Sequence, residues 1–163
     1  MQQKITPCLW YDTQAEEAAQ LYISIFPNSS MGKILRYDKA SAEQSGKPEG
    51  SVLTVEFTLN GQAFTALNGG PIFKFTEATS FQIDCKDQAE VDHYWNKLIA
   101  DGGEESQCGW LKDKFGLSWQ VVPSILPKLL TDPDPKKAQG AMKAMLTMKK
   151  IDIEGIKRGA EGK

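Results

Sequence analysis

One carboxylate, several hydroxyls and two carboxamides fall on alternate positions of segments that read as strands: Glu56 and Thr58, Thr65, Ser80 and Gln82, Ser118 and Gln120. A period of two sends these residues to one face of a sheet while Leu53, Val55, Phe57 and Leu59, or Phe81, Ile83 and Cys85, go to the other. A polar row facing inward from such a strand borders a cavity, and a small-molecule site is an apolar-walled cavity with a few polar groups that orient the ligand. Trp10, on the same face as Thr6 and Cys8, is expected as a wall of that cavity. Trp10, Thr65, Ser80, Gln82 and Gln120 are therefore the candidate ligand-binding residues. Glu56 is the candidate catalytic residue, since a carboxylate enclosed by Trp10 and other bulky groups is placed to act as a general base. The competing reading of Glu56 is an open sheet face and a lysine partner, with no chemistry. Glu56 and Gln120, if buried and unpaired, would need water or a ligand to satisfy them.

Other reactive side chains give less. His93 is the single histidine, and Val91, Trp95, Leu98 and Ile99 define the buried side of its helix, which leaves His93 near the exposed side. Without a second histidine, Cys8 has no base to make it a thiolate nucleophile. Cys8, Cys85 and Cys108 are odd in number and lack a C-x-x-C spacing, so they read as reduced thiols, two of them in strands, with no zinc site or disulfide framework.

The elements that must position these residues follow in order. Residues 5–11 read as a strand, Asp12 and Thr13 start a helix carrying Ala15, Ala18, Ala19, Tyr22, Ile23 and Phe26, and residues 27–30 stop it. Residues 31–37 form a second strand and 41–50 a flexible polar loop. Residues 51–59 alternate clearly, and Asn60-Gly61 turns the chain into an antiparallel strand over 62–67. The order then begins again: a strand over 80–85, Asp87 as a cap, a helix over 88–100 closed by Gly102-Gly103, and a hairpin turning at Gly116 between residues 109 and 123. Gln14-Ala15-Glu16 is echoed by Gln88-Ala89-Glu90 just inside the corresponding helix. The chain is thus an internal repeat of strand, helix and three strands, an α+β fold of two modules whose sheets curve around a cleft with helices outside. A single domain over 1–163 is expected, with module one at about 1–71, module two at about 72–123 and a helical tail at about 124–163. In that tail residues 124–130 are helical, Asp134 and Pro135 open a second helix, and a short turn follows Asp152.

Composition is that of an ordinary globular protein, 40% hydrophobic and 25% charged with a net charge of -2. The start of the chain has no apolar run behind a basic segment, and no stretch approaches a membrane span, so a cytoplasmic protein without a membrane partner is expected. The basic tail, with Lys136, Lys137, Lys143, Lys149, Lys150, Lys157 and Arg158, reads as the solvated face of docked helices and not as a nucleic-acid site.

Four separated segments carry a resemblance: Ile5-Thr6-Pro7 with Leu9-Trp10-Tyr11; Ala15-Glu16-Glu17-Ala18; Ala66-Leu67-Asn68-Gly69-Gly70-Pro71; and Gly109-Trp110-Leu111-Lys112-Asp113 through Pro123. With these the chain resembles the PhnB-like branch of the vicinal oxygen chelate, or glyoxalase-like, superfamily, and Ala144-Met145-Leu146 and Met148-Lys149-Lys150-Ile151-Asp152 resemble that branch's closing segment. The resemblance implies two tandem βαβββ modules and a homodimer. It also implies metal-ligand positions, which fall on Thr6 or Pro7, about Thr65, Ser80 and Gln120. None is a histidine or carboxylate, so no tightly bound metal is expected. Some members carry the label 3-demethylubiquinone-9 3-methyltransferase, but a nucleotide-type cofactor normally lies on a glycine-rich turn that opens a helix. Gly69-Gly70-Pro71 is followed by Ile-Phe-Lys-Phe, so these glycines read as a midpoint turn, and no cofactor is expected. Two functions stay open: a metal-independent enzyme acting on a small organic molecule, and a non-catalytic protein that binds or sequesters one, as antibiotic-binding relatives do.

Overall fold

In the computed structural model, which describes residues 4–163, the repeat read from the sequence becomes two four-stranded sheets of identical strand order. The first three residues of the expected first module lie outside the described residues. The first sheet is built from β1 (Cys8–Tyr11), β2 (Ser30–Arg36), β3 (Val52–Leu59) and β4 (Gln62–Asn68), in the order β1-β4-β3-β2. The second is built from β5 (Ser80–Cys85), β6 (Glu104–Glu105), β7 (Trp110–Lys112) and β8 (Ser118–Pro123), in the order β5-β8-β7-β6. In each sheet the first strand pairs in parallel with the last, and the other neighbours are antiparallel. The chain divides into two compact units at Lys74 and Phe75.

In the first unit α1 (Ala15–Ile25) lies on one face of its sheet. Ala15, Ala18 and Ala19 are small enough for the helix to approach the strands closely, and with Tyr22 and Ile25 they bury against Leu9, Val55, Phe57, Phe64 and Ala66. Phe57 stacks on Phe64 at 5.3 Å and lies 6.3 Å from Tyr22, which fixes the odd-numbered residues of β3 on the helix side. Asn60 and Gly61 both adopt positive φ, 47° and 81°, as a two-residue hairpin turn requires. The helix start differs from the sequence expectation. Neither Asp12 nor Thr13 caps α1; its Ala15 N–H donates instead to Asn68 Oδ1 at 2.8 Å, from the end of β4. Asn68 also donates from Nδ2 to Val52 O, so one buried side chain ties a helix start to two strands.

The expected flexible loop over 41–50 contains a helix, α2 (Lys39–Ser45). Asp38 accepts from the Ser41 N–H at 2.8 Å while the Asp38 N–H donates to Ser41 Oγ at 3.0 Å, a reciprocal cap that offsets the weak helix propensity of the segment. The Ser41 hydroxyl, and then its backbone N–H, hold the Asp38 carboxyl below the usual carboxylate range.

Trp10 and the glycines after β4 form one local structure. The indole Nε1–H donates to Gly70 O at 2.8 Å, the Phe73 ring meets Trp10 edge-on at 5.0 Å, and a Cβ on Gly69 would lie inside the Trp10 ring. Gly69 is glycine because an indole occupies the space of its side chain.

In the second unit α3 (Gln88–Leu98) buries Val91, Tyr94, Trp95 and Leu98, and the helix side of the sheet carries Ile83, Cys85, Leu111, Trp119 and Val121. His93 is exposed, as its place on the helix implies. The hairpin between β7 and β8 turns on Asp113. Its Oδ1 accepts the N–H groups of Phe115 and Leu117 at 2.9 and 3.1 Å, and its Oδ2 accepts the Trp119 indole N–H at 2.9 Å. The tail adds α4 (Ile125–Leu130), α5 (Pro135–Leu146) and α6 (Ile153–Ala160); the last is a full helix capped by Asp152 where the sequence suggested a short turn. Leu126, Ala141, Ile151, Ile156 and Ala160 form its small core, with Val122 packed against it. Among the described residues no helix is long and apolar enough to cross a membrane.

Replacing Asp113 with Ala is expected to lower stability by about 3 kcal/mol, since buried donors lose a charged acceptor; urea unfolding checks it, and a loss within error of zero would show that the turn does not need the carboxylate. Gly69→Ala is expected to expel the Trp10 indole and destabilise by about 1–3 kcal/mol. The indole N–H resonance of Trp10, assigned with a Trp10→Phe control, should move to a solvent-exposed position, and an unmoved resonance would contradict the packing.

Candidate functional site

The site residues expected from the sequence fall into two groups, one on each sheet, both on the face turned away from the unit's own helix. On the first sheet Glu56 pairs across the ladder with Thr65, which pairs in turn with Cys8 of β1. Around them is a hollow of about 320 Å³ bordered by Thr6, Ser30, Gly32, Glu56, Thr58 and Thr65. Ala63 also lines it, and its small side chain keeps the hollow open.

The shape of that hollow comes from β2. Its register against β3 shifts between Met31 and Ile34, a bulge in the sense that the ladder loses its regular one-to-one pairing. At this place Gly32 passes so close to β3 that a Cβ would lie 2.9 Å from Glu56 O and 3.1 Å from Glu56 Cβ. Only a residue without a side chain fits, and the missing side chain is also what leaves room above the sheet. The Ser30 and Thr58 hydroxyls hydrogen-bond at 3.0 Å along one rim.

Glu56 differs from its expected setting. It is exposed, and Trp10 does not enclose it: the indole is committed to Gly69, Gly70 and Phe73 and is not part of the hollow's lining. The lysine partner of the competing reading is missing too, since among the described residues Glu56 has no ion pair. The enclosure that would make it a general base is therefore not built by the first unit, while its position as an acceptor at the edge of a hollow is.

On the second sheet the parallel register places Ser80 beside Ser118 and Gln82 beside Gln120. Gln120 donates from Nε2 to Ser80 Oγ at 2.8 Å and accepts from Gln82 Nε2 at 3.1 Å. Both ends of the Gln120 amide are thus engaged by its neighbours, a correction to the expectation that it needs a ligand. Ser118 is buried, and its Oγ is without a hydrogen-bond partner among the described residues. Trp119, two per cent exposed, points to the helix side as alternation requires.

The ligand-position set implied by the resemblance can be tested on its donors. Thr6, Thr65 and Ser80 offer neutral hydroxyls, and the Gln120 carboxamide is tied to Ser80. Divalent ions in such sites take imidazole and carboxylate, so these residues do not fit one. Among the described residues no group of three or more His, Cys, Asp or Glu could hold a metal ion. A methyl-donor cofactor fits the Gly69-Gly70 turn no better, because Trp10 fills the space beside it and no helix follows it directly. All three cysteines are free, and two are disfavoured as thiolates: burial pushes Cys85 up to about 12 with further help from Glu90, Asp84 and Asp87, and partial burial raises Cys8.

Comparison with known proteins agrees with this architecture. Residues 3–122 match the model of a family described as 3-demethylubiquinone-9 3-methyltransferase. No curated protein matches the chain. Among solved structures, a PhnB protein from Bacillus cereus that bears the same methyltransferase description is 36% identical, with a TM-score of 0.66 over 75% of this chain and 100% of that one. A protein from Pseudomonas aeruginosa is 18% identical with a TM-score of 0.59, covering 75% of this chain and 98% of its own. The fosfomycin resistance protein FosX from Listeria monocytogenes is 17% identical with a TM-score of 0.56, covering 80% and 98%; these two likenesses show the fold alone. The family match ends within β8, so α4, α5 and α6 lie beyond it. Two βαβββ modules of the same strand order, a glyoxalase-like fold, with that match across them, make the chain a member of the PhnB, or 3-demethylubiquinone-9 3-methyltransferase-like, family.

Proposed function

We propose that the protein binds a small organic molecule without a metal ion, using the hollow on its first sheet. The observation that carries this reading is the hollow itself: four hydroxyls and an unpaired carboxylate collected around a gap that Gly32 keeps open. Its size, about 320 Å³, falls at the small end of ligand sites, which run from about 300 to 1,000 Å³. Binding, and not turnover, is the function this geometry supports best, because the groups that would make Glu56 a base are absent from the hollow. The label of methyl transfer gains no support from the Gly69-Gly70 turn, where the Trp10 indole fills the space a cofactor would need. An enzymatic role for Glu56 is the second reading, favoured by its place at the edge of the hollow. Product analysis after incubation separates the two, since a binder raises its melting temperature by mass action and returns the ligand unchanged.

Ligand screening by thermal shift, followed by calorimetry, tests the site. Glu56→Gln is expected to change stability by no more than about 0.5 kcal/mol, as an exposed substitution does, and to weaken binding of the ligand found by about tenfold or more. Gln120→Leu is expected to leave that ligand's binding intact, because the amide serves Ser80 and Gln82. Unchanged affinity in both Glu56→Gln and Thr65→Val would remove the hollow as the site. Added nickel, zinc or manganese should leave the melting temperature where it is, and a large rise with one ion would overturn the donor argument.

The same proposal includes a homodimer and a cytoplasmic location. Support for the dimer comes from α5, where Met142 and Leu146 are 40% and 60% exposed on a helix that already buries Ala141 on its other side. Sedimentation should give twice the chain mass at micromolar concentration, and a stable monomer would refute it.

A further inference from the structure

The lining of the hollow has a sign. Among the described residues Glu56 is the one carboxylate in the lining and has no ion pair, and no lysine, arginine or histidine borders the hollow. Thr6, Ser30, Thr58 and Thr65 supply hydroxyls, each able to donate once and accept twice. The Ser30 and Thr58 hydroxyls already share one hydrogen bond, which uses a donor and leaves acceptor capacity in excess. A ligand that brings donors finds partners here, and one that brings a phosphate or carboxylate must set a negative charge beside Glu56 with no cation in the lining to offset it.

We propose that the hollow selects a small hydroxylated molecule carrying a protonated amine, with the ammonium held by Glu56 and the hydroxyls matched to Thr58 and Thr65, and that it rejects phosphorylated or phosphonate analogues of the same skeleton. This rests on the reading of the hollow as the binding site. It adds the class of ligand, which follows from the charge and donor inventory of the lining and not from the fold.

The test uses two matched series on the full chain. One is glucosamine, glucose and glucose 6-phosphate; the other is serinol, glycerol and glycerol 3-phosphate. Binding is read by amide chemical-shift mapping and by titration calorimetry. The amine of at least one series should shift the amides of Gly32, Glu56 and Thr65, and bind about tenfold or more tightly than its neutral counterpart, as expected for a hydrogen bond to a charged group. Raising the salt concentration should narrow that gap. The phosphate ester should not shift these amides. Glu56→Gln should bring the amine down to the level of the neutral compound, whereas Thr65→Val, which keeps the β-branched shape, should weaken amine and neutral compound alike. Binding of a phosphate ester as tight as the amine, or an amine preference that survives Glu56→Gln, would overturn the ligand class and leave the hollow standing as a site. No shift at these amides with any probe of either series would overturn the site and the class together.

Discussion

The Asp113 carboxylate is the contact on which the second half of the molecule depends. A buried charge is tolerated only when hydrogen bonds replace its water, and here backbone N–H groups and an indole do so across the tip of one hairpin. Because Trp119 is one of those donors, the turn and the first residues of β8 are fixed together. The register that puts Ser118 and Gln120 on one face and Trp119 and Val121 on the other follows from that single side chain. A slip of one residue would exchange the faces and break the indole bond at the same time. Asn68 has the corresponding role in the first unit, where its amide joins the end of β4 to the start of α1 and to β3.

The repeat is visible in topology but its two copies have taken different tasks. Gln88 and Gln14 begin the echoed tripeptides. The Gln14 side-chain oxygen accepts from the N–H of its neighbour Thr13. Gln88 instead donates to Ile151 O and accepts from the Ile153 N–H, which pins the tail beside α3. Cys108 and Gly109 add hydrogen bonds to Met148 and Lys149 at 2.8 and 2.7 Å, and Lys150 reaches Asp92 at 2.7 Å. Several of the tail's basic residues are thus partners of the second unit's acids, consistent with the reading of a docked, solvated face. Between α5 and α6 the helices meet at Gly140 and Gly159, where a Cβ on either would strike the other's backbone. This close crossing lets a tail of modest hydrophobicity bury Ile156 and Ala160.

Much of this was legible because alternation and turn chemistry are local. The faces of β3, β5 and β8, the Asn60-Gly61 turn, the cap at Asp87 and the exposure of His93 all follow from residues within a few positions of one another. What was not legible depends on distant partners. The N–H of Ala15 is capped from Asn68, more than fifty residues on, so Asp12 and Thr13 looked like the helix start. Trp10 looked like a cavity wall because its face was right; that its indole would be taken by Gly69 and Gly70 depends on a parallel pairing of β1 with β4. The helix over 39–45 did have a local signal, the spacing of Asp38 and Ser41, hidden in a segment whose serines and glycines read as loop.

Alternation assigned polar residues to both sheets alike, yet the two polar faces are chemically different. On the second sheet Ser80, Gln82 and Gln120 are spaced so that donors meet acceptors along one chain of hydrogen bonds, which engages both ends of the Gln120 amide and leaves the buried Ser118 hydroxyl outside the chain. In the hollow of the first sheet Ser30 and Thr58 bond to each other. Glu56 faces the Thr65 hydroxyl on one side and the bulge at Gly32 on the other, and among the described residues no cation pairs with it. Strand geometry makes a polar face; the excess of acceptors over donors on that face is what the proposal of a ligand there rests on. That difference, more than the fold shared by both modules, is the reason to look for function on the first sheet.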